Sequence, residues 1–336
     1  MKPETRIVTA VLVSHRCNAC FGTDFIAAAA RGGVELELLV LPIDPEARID
    51  DAPAARAEAA YFSGDVFPEY SKQFFSATRK ASGLKWLQVF NAGVDHPVFA
   101  TILERGVRLT TAAGSTAEPI AQTAIAAMLY LARNLPRWLA SQRNHQWAPM
   151  RASDLPRDLR GQVMLVYGLG GIGMEIARLA RALGLYVIGV RRNAIKTAHV
   201  DEIHTPDKLP DLLARTDWLV IACPLTDETR GMIDAALLAK LPQGARVINI
   251  ARGEIVAEPA LIAALQSGHL AGAYLDVFAQ EPLPPDSPLW DMPNVVVTPH
   301  NSSASAGNEA RVNAIFLDNL QRWTRNQPLI NEVTSI

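Results

Sequence analysis

"VYGLGGIGMEIARLARALGLYVIGVRRN", Val166–Asn193, joins an apolar run to a helix-forming run through three glycines with the spacing G-x-G-x-x-G. These glycines are Gly168, Gly170 and Gly173. In a strand–turn–helix unit the first glycine permits a tight turn, the second lets the backbone approach a pyrophosphate, and the third lets helix and sheet pack closely. The stretch therefore predicts a dinucleotide-binding turn.

The residues around this turn indicate which dinucleotide binds. The N–H groups at the start of the helix, where Gly171 and Ile172 lie, are expected to face the phosphates. About twenty residues after the glycines, NAD-binding turns carry an acidic residue that binds the ribose hydroxyls. This chain has Arg191 and Arg192 there. A guanidinium binds a 2′-phosphate and a carboxylate repels it, so the sequence favours NADP(H) over NAD(H), although two arginines after a strand can also be merely solvated.

Composition restricts the class of protein. The chain has 336 residues, of which 49% are hydrophobic and 20% are charged, with a net charge of -2. These values are typical of globular domains, and the length suits two of them. The near-neutral charge gives no reason to expect nucleic acid or an anionic membrane as a partner, and the apolar runs are too short to span a bilayer.

The cysteines leave three interpretations open. Their low, odd number argues against a disulfide scaffold and fits a reducing compartment, so we expect a cytoplasmic protein. Cys17 and Cys20 form a C-x-x-C pair near His15, which permits a redox or metal-binding role. Because no second pair accompanies them, no metal is expected, and the simplest interpretation is two small residues in a loop or first helical turn.

The order of apolar and helical runs predicts the architecture. Strand patterns such as "RIVTAVLVS" and "VELELLVL" alternate with helical runs in residues 5–112, and a second series begins at Val163. Between them, residues 116–146 favour helix, with a break or kink expected at Pro136. Alternating strands and helices imply parallel sheets covered on both faces. The chain is therefore expected to be α/β, with two doubly wound parallel-sheet domains.

Three segments downstream of the glycine turn identify a family. They are "NIARGEIV", "LDVFAQEPL" and "VVVTPHNSS", and "NAGVD" accompanies them in the first series. Together they resemble the D-isomer-specific 2-hydroxyacid dehydrogenases, and in particular glyoxylate/hydroxypyruvate reductases, over nearly the whole chain. The resemblance implies a Rossmann cofactor domain, residues 113–301, inserted in a flavodoxin-like substrate-binding domain, residues 1–112 plus 302–336.

The resemblance implies that Arg252, Glu281 and His300 are the catalytic set. Reduction of a 2-oxo acid needs a hydride on carbon and a proton on oxygen, and a histidine titrates close to neutral pH, so His300 suits the proton donor. Glu281 would hold the other ring nitrogen, and Arg252 would bind the substrate carboxylate and polarise the carbonyl. Taken singly, each of these three residues could equally be an ordinary surface or structural side chain without a catalytic role.

Further contacts are implied by the same resemblance. Cys223 and Pro224 would line the nicotinamide-side ribose, Asp276 would hold the carboxamide, and the Ala251 backbone would touch the nicotinamide. The substrate would be bound by Arg252 and His300 together with a backbone cradle for its carboxylate. That cradle is formed by Ala92, Gly93 and Val94.

The predicted function is NADPH-dependent reduction of a small 2-oxo acid, such as glyoxylate or hydroxypyruvate, to the D-2-hydroxy acid. A homodimer is expected through residues 116–150, with a helix buried inside one subunit as the alternative. Two other functions stay open on the same fold: a dinucleotide-sensing, corepressor-like binding protein and an oxidoreductase acting on another donor, such as phosphite. The sequence leaves the physiological 2-oxo acid undetermined.

Overall fold

The structure is a computed structural model, and it describes residues 8–47, 49–94 and 96–333. Contacts between residues divide the chain into two compact units, one formed by Met1–Ser115 with Ala306–Ile336 and the other by Thr116–Ser305. The first unit thus contains two separate stretches of sequence. Within the described ranges, no helix is long and apolar enough to cross a membrane.

All strands of the described chain belong to two sheets and run parallel to their neighbours. In chain order they are β1 (Val8–Val13), β2 (Glu35–Val40), β3 (Ala59–Phe62), β4 (Trp86–Val89), β5 (Arg108–Thr110), β6 (Val163–Tyr167), β7 (Tyr186–Val190), β8 (Glu202–His204), β9 (Trp218–Ile221), β10 (Ala245–Asn249), β11 (Leu270–Leu275) and β12 (Val295–Val297). Strands β1–β5 form the sheet of the first unit, and β6–β12 form that of the second.

Helices provide the crossovers that parallel strands require. In chain order they are α1 (His15–Arg31), α2 (Asp51–Ala55), α3 (Ser71–Lys80), α4 (Pro97–Glu104), α5 (Ala117–Ala132), α6 (Leu135–Arg143), α7 (Gly171–Ala182), α8 (Leu209–Leu212), α9 (Ala235–Leu238), α10 (Glu258–Gln266) and α11 (Asn308–Thr324). Short 3₁₀ turns lie at Gly64–Val66, Ala152–Asp154, Pro206–Lys208, Leu213–Arg215, Gly253–Ile255 and Pro288–Trp290.

The sheet of the first unit has the strand order β2-β1-β3-β4-β5, which is the flavodoxin-like order. Every residue of β3 and β4 is buried, as expected for strands covered on both faces. Helix α11 packs on this sheet through Phe316, whose ring stacks on Tyr61 with centroids 4.1 Å apart and on Trp86 at 5.4 Å. Aromatic stacking thus attaches the end of the chain to the sheet formed by its beginning.

The sheet of the second unit has the order β12-β11-β10-β9-β6-β7-β8. Read from β8, this is the doubly wound order of dinucleotide-binding sheets with one further strand. The strand order reverses between β6 and β9, and ligands of such sheets bind outside the carboxyl ends of the strands at that point. The predicted fold class, α/β with two doubly wound parallel-sheet domains, is confirmed.

The helical stretch of residues 116–146 is broken as expected, and the break lies just before Pro136, between α5 and α6. Asn134 adopts a left-handed conformation with φ 53°, and Pro136 lies in the first turn of α6, where its missing N–H costs nothing. Most of the apolar residues of α5, Met128 among them, are buried inside the second unit. Helix α6 buries none of its residues.

Two local predictions differ from the structure. The helical run "TDFIAAAARGG" predicts a helix from Thr23, whereas α1 begins eight residues earlier, at His15. The Ser14 hydroxyl accepts a hydrogen bond from the Cys17 N–H at 2.8 Å and caps the helix there. The edge strand β8 was not predicted. The first strand was expected from Arg6, but residues 6 and 7 lie outside the described residues.

Candidate active site

The glycine turn follows β6 and opens α7. Gly168 has φ +103°, and a Cβ there would lie 2.5 Å from the Cys223 nitrogen. A Cβ on Gly173 would lie 1.9 Å from the Gly168 carbonyl oxygen. A Cβ on Gly170 would have nothing of the protein within 4 Å. The fold therefore requires glycine at positions 168 and 173, whereas Gly170 keeps the protein surface open at the start of the helix.

A cavity of about 800 Å³ lies at the carboxyl ends of β6, β7 and β9. It brings together residues that are distant in sequence, namely Gly168, Gly170, Arg191, Arg192, Cys223 and Pro224. Gly171 and Ile172 lie beside it in the first turn of α7. The volume and the open helix N-terminus fit a dinucleotide.

Arg191 and Arg192 directly follow β7 and line this cavity. The Arg191 N–H donates to the His204 carbonyl oxygen at 3.1 Å, so β8 fixes the backbone of the pair. Within the described chain, neither guanidinium is engaged in an ion pair. Two uncommitted guanidinium groups at the end of β7 suit a 2′-phosphate better than ribose hydroxyls alone.

Arg252 lies in a loop after β10 that the Asn249 side chain shapes. Asn249 Oδ1 accepts from the Ala251 N–H at 3.1 Å, and its Nδ2 donates to the Arg252 carbonyl oxygen at 3.0 Å. Nη1 of Arg252 donates to the Ala251 carbonyl oxygen at 2.7 Å. Sequence reasoning missed Asn249, although a buried amide at the end of an apolar strand signals a loop-shaping role.

Gly253 brings this loop against the next one. A Cβ on Gly253 would lie 1.8 Å from the Phe278 carbonyl carbon, so the two backbones touch. The Phe278 N–H in turn donates to Glu281 Oε1 at 3.1 Å. The loops that carry Arg252 and Glu281 are therefore connected through Phe278.

Glu281 and His300 form a direct pair. Glu281 Oε2 lies 2.8 Å from His300 Nδ1, and about half of the imidazole is exposed. With Nδ1 directed at the carboxylate, Nε2 is left for a substrate. His300 has φ 50°, a conformation rare for residues other than glycine, and such backbone strain is found preferentially at functional sites.

Asp276 organises the loop that carries His300. Its carboxylate is buried, and the Asp276 carbonyl oxygen accepts the His300 N–H at 2.8 Å. Its Oδ1 accepts from Thr298 Oγ1, the Asn301 N–H and the Ser302 N–H at 2.5, 2.9 and 3.0 Å, and Oδ2 accepts from Ser302 Oγ. Asp276 does not line the cofactor cavity, and its predicted contact with the carboxamide stays a prediction.

The predicted carboxylate cradle lies in the first unit. Ala92, Gly93 and Val94 follow β4, and Asp95 of the same motif lies outside the described residues. The Asn91 side-chain nitrogen donates to the Gly93 carbonyl oxygen, and the Ala112 N–H donates to the Asn91 carbonyl oxygen at 3.1 Å. Asn91 therefore holds the turn in place. That the turn binds the substrate carboxylate stays a prediction.

Two of the three cysteines, Cys17 and Cys223, are buried. Burial raises the pKa of the Cys17 thiol to about 12, and Asp65 adds to the effect. Burial also raises the pKa of Cys223 to about 12. Because the thiolate is the reactive form, neither side chain suits redox chemistry at neutral pH. No group of metal-ligating side chains forms among the residues that the structure describes.

The second unit matches a known family. The model of the D-isomer specific 2-hydroxyacid dehydrogenase NAD-binding domain matches residues 125–302. A glyoxylate reductase of Korarchaeum cryptofilum is 33% identical over 74% of this chain and 75% of its own. The chain spans 52% of a D-3-phosphoglycerate dehydrogenase of Archaeoglobus fulgidus, to which it is 34% identical.

Solved structures resemble the whole chain. A D-isomer specific 2-hydroxyacid dehydrogenase of Xanthobacter autotrophicus, in complex with NADPH and MES, is 31% identical with a TM-score of 0.75 and covers 97% of both chains. An NADPH-dependent glyoxylate/hydroxypyruvate reductase of Sinorhizobium meliloti, in complex with NADP and sulfate, is 29% identical with a TM-score of 0.73 and covers 98% of both. The family model, these identities and the confirmed fold agree, and the chain belongs to the D-isomer-specific 2-hydroxyacid dehydrogenase family of NAD(P)-dependent oxidoreductases.

Proposed function

We propose that this protein reduces a small 2-oxo acid of the glyoxylate or hydroxypyruvate type to the D-2-hydroxy acid, using NADPH. The observation that carries the proposal is the hydrogen bond between Glu281 and His300, since it presents one imidazole nitrogen to a substrate. The names of relatives support the substrate class, because they include a glyoxylate reductase and an NADPH-dependent glyoxylate/hydroxypyruvate reductase.

In the proposed mechanism the substrate carboxylate pairs with the Arg252 guanidinium and with the backbone N–H groups of Ala92–Val94. The nicotinamide, when bound, supplies a hydride to the carbonyl carbon. His300 donates the Nε2 proton to the carbonyl oxygen, and Glu281 stabilises the positive charge that the imidazole carries beforehand. Because reduction consumes a proton and oxidation releases one, alkaline conditions favour oxidation.

The cofactor preference rests on Arg191 and Arg192. We infer that one or both bind the 2′-phosphate of NADPH, while the pyrophosphate lies over Gly170 at the start of α7. Cys223, Pro224, Ala251 and Asp276 would contact the nicotinamide half. Residues 113–301 are thus proposed as the dinucleotide-binding domain, and residues 1–112 with 302–336 as the substrate-binding domain.

A cytoplasmic homodimer is also part of the proposal. Its support is the surface of α6 and the loop after it, where Trp138 is 42% and Trp147 is 98% exposed. Large aromatic side chains left in solvent on one segment are typical of an interface. The free state of Cys17, Cys20 and Cys223 supports a reducing compartment.

The test is a rate measurement with a matched set of substrates and cofactors. Purified protein is mixed with NADPH or NADH and with glyoxylate, hydroxypyruvate or pyruvate, and the loss of reduced cofactor is followed. We expect turnover, faster with NADPH, and Arg191→Glu or Arg192→Glu should reverse the preference. Arg160→Glu, an exposed arginine before β6, is the control. The absence of turnover with every pair refutes the activity, and equal rates with both cofactors refute the preference.

A further inference from the structure

Orphaned polar atoms cluster at one edge of the first unit. The residues that follow β1, β3, β4 and β5 carry buried side-chain atoms that have no hydrogen-bond partner among the described residues. These atoms are His15 Nδ1, Asp65 Oδ2, Asn91 Oδ1 and Ser115 Oγ. The four strands are parallel and consecutive in the sheet, so these residues lie along its carboxyl edge. Buried polar groups are nearly always paired in native proteins, so such a set points to a ligand.

Asp65 is the charged member of this cluster. Its Oδ1 accepts from Ser63 Oγ at 2.6 Å, whereas Oδ2 accepts from no described residue. No ion pair between Asp65 and a cation forms within the described chain. The carboxylate lies close enough to Cys17, at the start of α1, to raise the pKa of that thiol. One oxygen of this carboxylate is therefore buried without a hydrogen bond from the described residues.

The neighbouring groups are suited to the same kind of partner. The Asn91 side-chain nitrogen donates to the Gly93 carbonyl oxygen, and its orphaned amide oxygen is an acceptor. The His15 ring packs edge-on against Tyr70, with centroids 5.3 Å apart, which fixes its orientation. A carboxylate without an ion-pair partner, beside an orphaned amide oxygen, attracts hydroxyl or ammonium groups and repels a second carboxylate or a phosphate.

We propose that Asp65, assisted by His15 and Asn91, selects 2-oxo acids whose chain beyond the carbonyl carries a hydroxyl or ammonium group and excludes those that end in a second acid group. The inference rests on the proposed function, in which Ala92–Val94 bind the substrate carboxylate. That cradle follows β4, and Asp65 follows β3, its neighbour in the sheet. Adjacent strands lie about 4.8 Å apart, so a short substrate can reach both loops.

The experiment compares substrates that differ only in the tail. Hydroxypyruvate and pyruvate differ by one hydroxyl, and oxaloacetate adds a carboxylate. For the full-length protein with NADPH, we expect kcat/KM for hydroxypyruvate to exceed that for pyruvate at least about 10-fold, as a hydrogen bond to a charged group implies. Asp65→Ala should lower this ratio about 10-fold or more. Asp65→Asn, which is nearly isosteric, should raise oxaloacetate reduction relative to pyruvate.

Glu69→Ala, an exposed acidic residue of the same loop, is the matched control and should leave both ratios unchanged. A merely structural role of Asp65 would lower kcat/KM for all substrates together, so unchanged ratios in both Asp65 variants overturn the inference. Reduction of pyruvate with ratios that do not depend on Asp65 leaves the proposed function standing. The absence of reduction of every 2-oxo acid in the unaltered protein refutes the proposed function itself.

Discussion

Glu281 and His300, which are 19 residues apart in sequence, are joined by a 2.8 Å contact between Oε2 and Nδ1. The second oxygen of the same carboxylate accepts the Phe278 N–H at 3.1 Å. Glu281 is thus held by its own loop on one side and directs the imidazole on the other. This relationship fixes which imidazole nitrogen is left for chemistry, and the proposed proton transfer depends on it.

Replacing Glu281 by glutamine should impair catalysis more than substrate binding. The amide can occupy the same volume but carries no charge to stabilise a protonated imidazole. We expect Glu281→Gln to lower kcat about 10- to 100-fold. This loss is smaller than the full ~10²–10⁴-fold contribution of general acid catalysis, because His300 itself is still present. Steady-state kinetics with a 2-oxo acid and NADPH measure this. Asp286→Asn, an exposed control nearby, should keep its kcat, and a full kcat in Glu281→Gln contradicts the assigned role.

Asp276 should be essential for both stability and activity. Its removal leaves the N–H groups of Asn301 and Ser302 without an acceptor, and each unsatisfied buried donor costs about 1–3 kcal/mol. We expect Asp276→Ala to lower Tm by about 5 °C or more and to lower kcat at least about 10-fold, because His300 loses its position. Calorimetry and kinetics check this against Asp291→Ala, an exposed control. Normal activity in Asp276→Ala would show that the loop is held by other contacts.

Two glycines of the turn should respond differently to alanine. A Cβ on Gly170 contacts nothing of the protein, so Gly170→Ala should keep its Tm and weaken NADPH binding about 10-fold or more. Gly173→Ala forces a Cβ to 1.9 Å from the Gly168 oxygen and should destabilise the fold by several degrees. Thermal unfolding and fluorescence titration with NADPH separate the two effects. Unaltered NADPH affinity in a folded Gly170→Ala variant contradicts the proposed pyrophosphate position.

The thiols should differ in reactivity. With a pKa of about 12, Cys17 and Cys223 hold only about one thiolate in 10⁴ at pH 8, whereas Cys20 is exposed. Alkylation of the native protein should therefore modify Cys20 first. Below the raised pKa the thiolate fraction grows about tenfold per pH unit, so the slow thiols should react faster as the pH rises. Mass spectrometry of peptides measures the order, with denatured protein as the control. Rapid modification of Cys17 at neutral pH contradicts its burial.

The sequence predicted most of the fold because the signals are local. The glycine spacing and the buried apolar runs of β6, β9 and β10 specify the parallel sheet directly. Strand β8 escaped prediction because its three residues, Glu202–His204, are only partly buried at an edge and carry no apolar pattern. The carbonyl oxygen of His204, in this strand, nonetheless accepts the Arg191 N–H. A strand that is hard to detect in the sequence therefore positions the predicted phosphate site.

The glycine turn and the two arginines were predicted from their spacing and the catalytic residues through resemblance, but the contacts that support them were not predicted. The contact of Gly253 with Phe278 and the hydrogen bonds of Asp276 join segments that only tertiary folding brings together. Spacing along the chain contains no information on such contacts. Likewise, the lack of a hydrogen bond to Asp65 Oδ2 depends on the folded surroundings of this residue. The sequence "SGDVFPEY", residues 63–70, indicates only a loop.

The proposed role of His300 as proton donor is tested by the rate of 2-oxo acid reduction by His300→Ala, measured beside its NADPH affinity. If His300 donates the proton, kcat should fall about 10²- to 10⁴-fold while the NADPH Kd changes less than about twofold. His269→Ala, at the amino end of β11, controls for the loss of an imidazole in the same unit. A kcat within about tenfold of the unaltered protein, with NADPH still bound, would contradict the assignment of His300 as the acid.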